Sequence, residues 1–295
     1  MIERFAEGVI RWRWLIIVLT LLTVMGIGKG GENIVFSSNY RVFFAEGNQQ
    51  LKAFDALQDT YSKSDNVMFV MTPKQGDIFT KEFLTAVQDV TEQSWQLPWS
   101  TRVDSLSNYQ HTQGFEDDLV VEDMVEEGVV LDSEALERIK QVTLNEPVII
   151  KRLLSKDGSL AVVNVTVQMP ELSENETAQL VAKVRELKEL AQAKYPNIEF
   201  RISGMVMLSN AFSEMAQSDM ATLMPMMFLI LLITLGLMLR SITGTIATFV
   251  VIILSVMTAM GTFGWLGWTL TPPSASAPTI VMTMAVADCV HLLVS

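Results

Sequence analysis

From Ser241 to Ala287 the chain carries no Asp, Glu, Lys or Arg, and this run is about twice the ~20 residues a helix needs to cross a hydrocarbon core. A stretch of that kind cannot be hidden in an ordinary soluble domain. It is broken at Thr271-Pro272-Pro273-Ser274, a turn signal, so it reads as two membrane spans, about 244–268 and 275–295. Met220–Leu239 is another uncharged run of full length. Trp14–Gly28 is shorter, but Arg11 and Arg13 can lay their stems along its start and keep their charges in water. Gly26-Ile27-Gly28-Lys29 is a poor small-x-small cleavage site, so this first segment reads as a retained anchor within residues 1–28. Four transmembrane helices are predicted, the last three within residues 220–295. Pro225 falls near the start of the second span, where the first turn of a helix tolerates proline.

The net charge of −12 is unevenly placed. Lys29–Asp219 holds 30 of the 33 acidic and 17 of the 21 basic side chains, so the acidity belongs to residues 29–219. Such a surface repels phosphate and excludes nucleic acid as a partner. The four remaining basic residues are Arg4, Arg11 and Arg13 before the first span and Arg240 between the second and third. By the positive-inside rule they face the cytoplasm, which puts 29–219 and the Pro-Pro turn outside. Cys289 is the single cysteine, so an internal disulfide is excluded.

Residues 29–219 alternate helical and strand patterns. Leu51, Phe54, Leu57 and Tyr61 recur at helical spacing behind Asn48. Asn66–Thr72 reads as a buried strand, Thr80–Ser94 as a helix and Thr101–Leu106 as a strand. Gly114–Glu127 is acidic and weakly periodic. It lacks the Asp-x-Asp-x-Asp-Gly arrangement of a calcium loop and reads as solvated surface. Pro147–Leu154 and Leu160–Met169 flank Lys156-Asp157-Gly158 and predict a β-hairpin. Ser173-x-x-Glu176 is a capping box before a helix whose apolar face is Leu180, Val184, Leu187 and Ala191, and Glu199–Ser203 closes the unit as a strand. The expected fold is an α-helical membrane protein with an inserted α+β, ferredoxin-like domain. No nucleophile motif, phosphate-cradling glycine loop or zinc spacing is present in the sequence, and His111 stands alone in the domain. An enzyme is not expected, nor a cofactor or metal.

Asp288 is the functional candidate, because a carboxylate inside an apolar span costs at least ~2.5 kcal/mol and such residues mark ion or proton pathways. His291 follows at i+3 on the same helix face, so the two form a candidate proton relay. Gly261, Gly264 and Gly267 recur at three-residue spacing in the third span and are candidates for close helix packing.

The layout of one span, a large outside domain and then closely spaced spans with an Asp in the fourth resembles the N-terminal half of a resistance-nodulation-division transporter. The echoes are Tyr40-Arg41-Val42-Phe43-Phe44 leading to Leu51-x-x-Phe54-x-x-Leu57, then Ser203-Gly204 followed by Asp219 just before the second span. The strongest is Ala287-Asp288-Cys289-Val290-His291-Leu292-Leu293. The resemblance is closest to the mycobacterial-membrane-protein-large (MMPL) and hopanoid-exporter branch and more distant to sterol-sensing-domain proteins. It implies proton uptake and release at Asp288, a C-terminal half with a partner residue in the tenth span, and export of hydrophobic or lipid-like substrates across a bacterial inner membrane. It also implies about twice this length, so the chain is expected to be a truncation or fragment. Many relatives carry Tyr after the Asp; Cys289 stands there instead and cannot supply a phenolic hydrogen bond. The rival reading is a membrane-anchored lipid sensor or scaffold. Protons, membrane lipids and a second copy of the chain complete the expected partners.

The arginine pattern makes the orientation testable. A membrane-impermeant thiol reagent applied from outside should label a Cys placed at Gly114 or Ser274 and miss one at Thr243; labelling at Thr243 from that side reverses the orientation.

Overall fold

The computed structural model describes residues 2–294 except 37–40, 42–43, 45–46, 62–64, 116–117, 126–130, 171–174 and 272, with backbone only for 2–6, 59, 61, 113–115, 118 and 294. In chain order the elements begin with helices α1 (Ile2–Arg11) and α2 (Arg13–Gly28), a 3-10 turn over Lys29–Asn33, and the short strand β1 (Val35–Phe36). Next come α3 (Gln49–Tyr61), β2 (Asp65–Pro73), α4 (Lys81–Ser94), β3 (Ser100–Asp104), β4 (Gln110–Phe115), β5 (Asp118–Asp123) and α5 (Ser133–Asn145). The chain continues through β6 (Ala161–Val167), α6 (Glu176–Lys194), β7 (Ile198–Ser203), α7 (Met205–Leu239), α8 (Ile242–Trp265), β8 (Thr269–Leu270) and α9 (Ala277–Val294). It divides into two compact units, Phe44–Ala211 and Met1–Phe43 with Phe212–Ser295.

In the α+β unit the order β2-α4-β3-β6-α6-β7 folds into an antiparallel four-stranded sheet with strand order β3-β6-β2-β7. Alternation sets the faces: Val67, Phe69 and Met71 of β2 and Val163, Val165 and Val167 of β6 are all buried. They meet Phe83, Leu84 and Val87 of α4 and Leu180, Val184 and Leu187 of α6 in one core. Burying each such side chain contributes ~1.5–3 kcal/mol. Thr80 caps α4 by accepting the Phe83 N–H at 3.3 Å, which fixes where that helix starts. Asp89 of α4 accepts from Lys194 and from the Tyr195 hydroxyl, tying α4 to the end of α6. Burial, with that carboxylate second, pushes the Tyr195 phenol above its usual range.

The Ser203-Gly204 pair has a steric basis. Gly204 sits at φ +112, and a Cβ there would lie 2.4 Å from the Asn66 carbonyl oxygen, so only glycine lets β7 turn into α7 beside β2. Asn66 then spans the junction: its Nδ2 donates to Asn164 Oδ1 at 2.8 Å, and its Oδ1 accepts the Met205 N–H at 3.1 Å. That bond satisfies one of the free donors at the start of α7.

Several expectations differ from the structure. The first arm of the predicted hairpin, Pro147–Leu154, forms turns with isolated bridges at Ile150, Leu154 and Ala161 instead of a strand. The arm meets β6 only at its first residues, where Leu154 bridges Ala161 and the Val162 N–H donates to the Leu153 carbonyl at 2.8 Å; from Asn164 to Val167 that edge of β6 is taken by β3. A hairpin of β4 with β5 runs into the acidic stretch, whose weak periodicity conceals it. Helix α5 has no counterpart among the expected elements; Asp132 caps it through the Ala135 N–H at 2.9 Å. The helix carrying Leu51, Phe54 and Leu57 forms as α3, but Phe54 and Leu57 are exposed. Pro225 is not in a first turn: α7 begins at Met205, so the proline is interior and leaves the Ala221 carbonyl without its helical donor. The Ser173 capping position and most of Tyr40–Phe44 lie outside the described residues.

Among the described residues four helices are long and apolar enough to cross a membrane: Arg13–Asn33, Met205–Leu239, Ile242–Trp265 and Ser274–Leu293. The chain is an integral membrane protein. Helix α8 is the common contact. Its Ile252 is buried with Leu235 of α7 and Met282 of α9, and Phe249 meets Phe228 of α7 edge to face at 6.3 Å. Where the chain turns from α8 to α9, the Thr271 N–H donates to Ser274 Oγ at 2.8 Å.

Because the α+β unit has its own core, Gly31–Gln217 expressed alone should give a circular dichroism spectrum of mixed helix and strand, and Phe69→Ala should lower its stability by ~3–5 kcal/mol in denaturant unfolding. A random-coil spectrum would rule out an autonomous domain.

Candidate functional site

Helix α9 places Asp288 and His291 one turn apart on a side of the helix that neither α7 nor α8 covers. Met282 is fully buried, with Ala285, Val286 and Val290 packed around the same cluster, and this is the inward face. Ile280, Met284, Asp288, His291 and Leu292 are exposed and run as a stripe down the outward face. Asp288 has no ion pair with a described residue. A bundle-interior position for the carboxylate, as transport would predict, is therefore not provided by these four spans. Cys289, next to Asp288, points instead toward α8. There Thr248 is 1% exposed, and its hydroxyl has the Cys289 thiol as a near neighbour but no partner in hydrogen-bond geometry.

A second feature has no counterpart among the sequence expectations. Helix α7 meets α8 and α9 through Phe228, Leu231, Leu235 and Leu239, the half of its span nearer Arg240. Above that contact α7 stands off, and a crevice of about 850 Å³, open mouth included, lies between α7 and the start of α9. Met220, Met224 and Met227 line its depth, Asp219 stands at the boundary of the apolar run, and Ser276 and Thr279 face it from the other wall. The spacing of these methionines at i, i+4 and i+7 is the available signal, masked by the uniformly apolar composition of the helix.

The family model for MMPL matches residues 42–290. The chain belongs to the MMPL family. No curated protein matches it. The family match spans the α+β unit, the crevice and Asp288, and MMPL proteins are membrane transporters of the resistance-nodulation-division type. Among the described residues no group of three or more His, Cys, Asp or Glu side chains converges as a metal site. His111 lies on β4 opposite Glu122 of β5 and lines a small recess with Arg138.

The glycines of this MMPL chain divide by position. A Cβ on Gly261 would fall 2.1 Å from the Ile27 carbonyl oxygen, and one on Gly264 would fall 1.8 Å from that of Gly30. Both lie where α8 crosses the end of α2, backbone against backbone. Trp265 Nε1 donates to the Gly26 carbonyl at 3.3 Å across the same crossing. Gly267 does not belong with them. It lies past the end of α8 at φ +67, a Cβ there would meet nothing within 4 Å, and its N–H closes the helix onto the Gly264 carbonyl at 3.1 Å.

Gly264→Val should therefore part α2 from α8 and lower the melting temperature of the detergent-solubilised protein by several degrees or prevent its isolation, whereas Gly31→Ala, which meets nothing within 4 Å, should leave melting unchanged. Equal melting of the two variants would show that the crossing carries no stability.

Proposed function

We propose that this MMPL chain forms part of a proton-coupled exporter of hydrophobic or lipid-like molecules in a bacterial inner membrane, with residues 29–219 on the periplasmic side. The observation that carries the reading is Asp288, a carboxylate in the middle of an exposed apolar stripe on a spanning helix. Lipid is a costly neighbour for that group, so the stripe is a face for further protein or for a water-filled path. A second half of the transporter, packed on the stripe, supplies the cover and the residue that exchanges the proton. Burial under that cover favours the protonated form and a nearby cation favours the charged one, and alternation between the two settings couples protons to movement. His291 shares the stripe and is positioned to assist.

The β-α-β-β-α-β order and strand order of the α+β unit support a ferredoxin-like porter domain, the part that receives substrate. One observation favours the rival lipid sensor: Asp288 does not face the interior of the four spans. Proton movement separates the two. Full-length protein in proteoliposomes made with inner-membrane lipid extract should dissipate an imposed pH gradient, followed by trapped pyranine. Asp288→Asn, matched for expression and melting, should abolish that flux. Flux at the wild-type rate in Asp288→Asn removes the carboxylate from the mechanism, and absence of flux from wild-type protein that carries both halves of the transporter hands the case to the sensor.

A further inference from the structure

The crevice between α7 and α9 combines an apolar depth with a single charge, and the order of the two along the membrane is informative. Its apolar wall is formed by Met220, Met224 and Met227, within the uncharged run that ends at Leu239. Its charge, Asp219, stands at the first position outside that run. Phe212, Met215 and Ala216 continue the lining beyond Asp219, so the charge sits where the uncharged run begins, with the methionine wall on its membrane side, and an amphiphile with its head at Asp219 lays its chain along that wall. Methionine suits such a wall, because an unbranched, polarisable side chain adapts to chains of differing shape. Asp219 is exposed and makes no ion pair with a described residue, so its carboxylate is available to a ligand. Ser276 and Thr279 add hydroxyls on the opposite wall. The space that water-sized centres can occupy is about 340 Å³, at the lower end of the range of small-molecule sites.

We infer that this crevice binds a membrane amphiphile with a cationic head, a single alkyl chain on an ammonium group, with the head on Asp219 and the chain against Met220, Met224 and Met227. The assignment rests on the transporter reading for its purpose but not for its geometry. An anionic head meets repulsion from Asp219 and has no cation opposite it. A cationic head gains a charge-assisted hydrogen bond at the edge of a low-dielectric wall, where such a bond is stronger than in water.

The test uses full-length protein in nanodiscs and two photoprobes of equal chain length, a diazirine-bearing dodecylamine and the matching dodecanoate, with cross-links mapped by mass spectrometry. The amine should label the segment 212–227, unlabelled dodecylamine should compete it away, and the carboxylate should label about tenfold less. Asp219→Asn should erase that preference while leaving chain labelling in place. Thr279→Trp, which fills the crevice, should lower labelling by both probes. Equal labelling by the two probes in the wild type, or an unchanged preference in Asp219→Asn, overturns the head assignment. No labelling of 212–227 by either probe overturns the site itself. Asp288→Asn is carried through the same experiment. Its labelling should match the wild type, so a failure of proton coupling at Asp288 and a failure of this site are read on separate axes.

Discussion

In a hydrocarbon core no water pairs with backbone N–H and C=O groups, so a chain crossing it must close its hydrogen bonds within each segment. That requirement makes the four spans helical and decides where irregular backbone is allowed. The turn from α8 to α9 uses the side chain of Ser274 to hold the Thr271 N–H, and the end of α8 is closed by the Gly267 N–H. Pro225 is the exception, an interior proline that frees one carbonyl. It lies in the part of α7 beside the crevice, not in the part packed on α8 and α9.

The same low polarity gives Asp288 its weight. In a soluble domain an exposed Asp on a helix is unremarked, but on a spanning helix flanked by Met284 and Leu292 it marks a face that lipid alone does not satisfy. Family membership and this carboxylate point the same way. The α+β unit is built differently, with an apolar core between sheet and helices.

How far the sequence can be read follows from which signals are local. Strand β2 and helices α4 and α6 are legible because each buries one face, so the alternation of Val67, Phe69 and Met71 and the spacing of Leu180, Val184 and Leu187 appear directly in the residue order. The false hairpin arm at Pro147–Leu154 cannot be seen that way. Its turn residues are sound, but along most of β6 the edge it would need is taken by β3, a strand distant in sequence, and only Leu154 reaches β6, at Ala161. Pro225 is misplaced by hydropathy because α7 starts in polar residues that do not count as span. Asp288 is legible from its isolation among apolar neighbours, yet the face it occupies depends on which side of α9 meets α8. The crevice depends on where α7 parts from its neighbours, and no single segment records that.

The crossing of α2 and α8 has one more consequence. At the joint of Gly30, Gly261 and Gly264 the closest approaches are backbone to backbone, with the Trp265 ring as the main side chain ordered there, so the joint freezes little side-chain entropy and has little to relax by repacking. It is a stiff joint. The opposite side of α8, where Ile252 and Val256 meet Leu235 and Met282, is made of side chains that can exchange rotamers. Compliance in this helical unit is therefore unequally shared, with α2 and α8 as the frame and α7 and α9 as the parts with room to adjust.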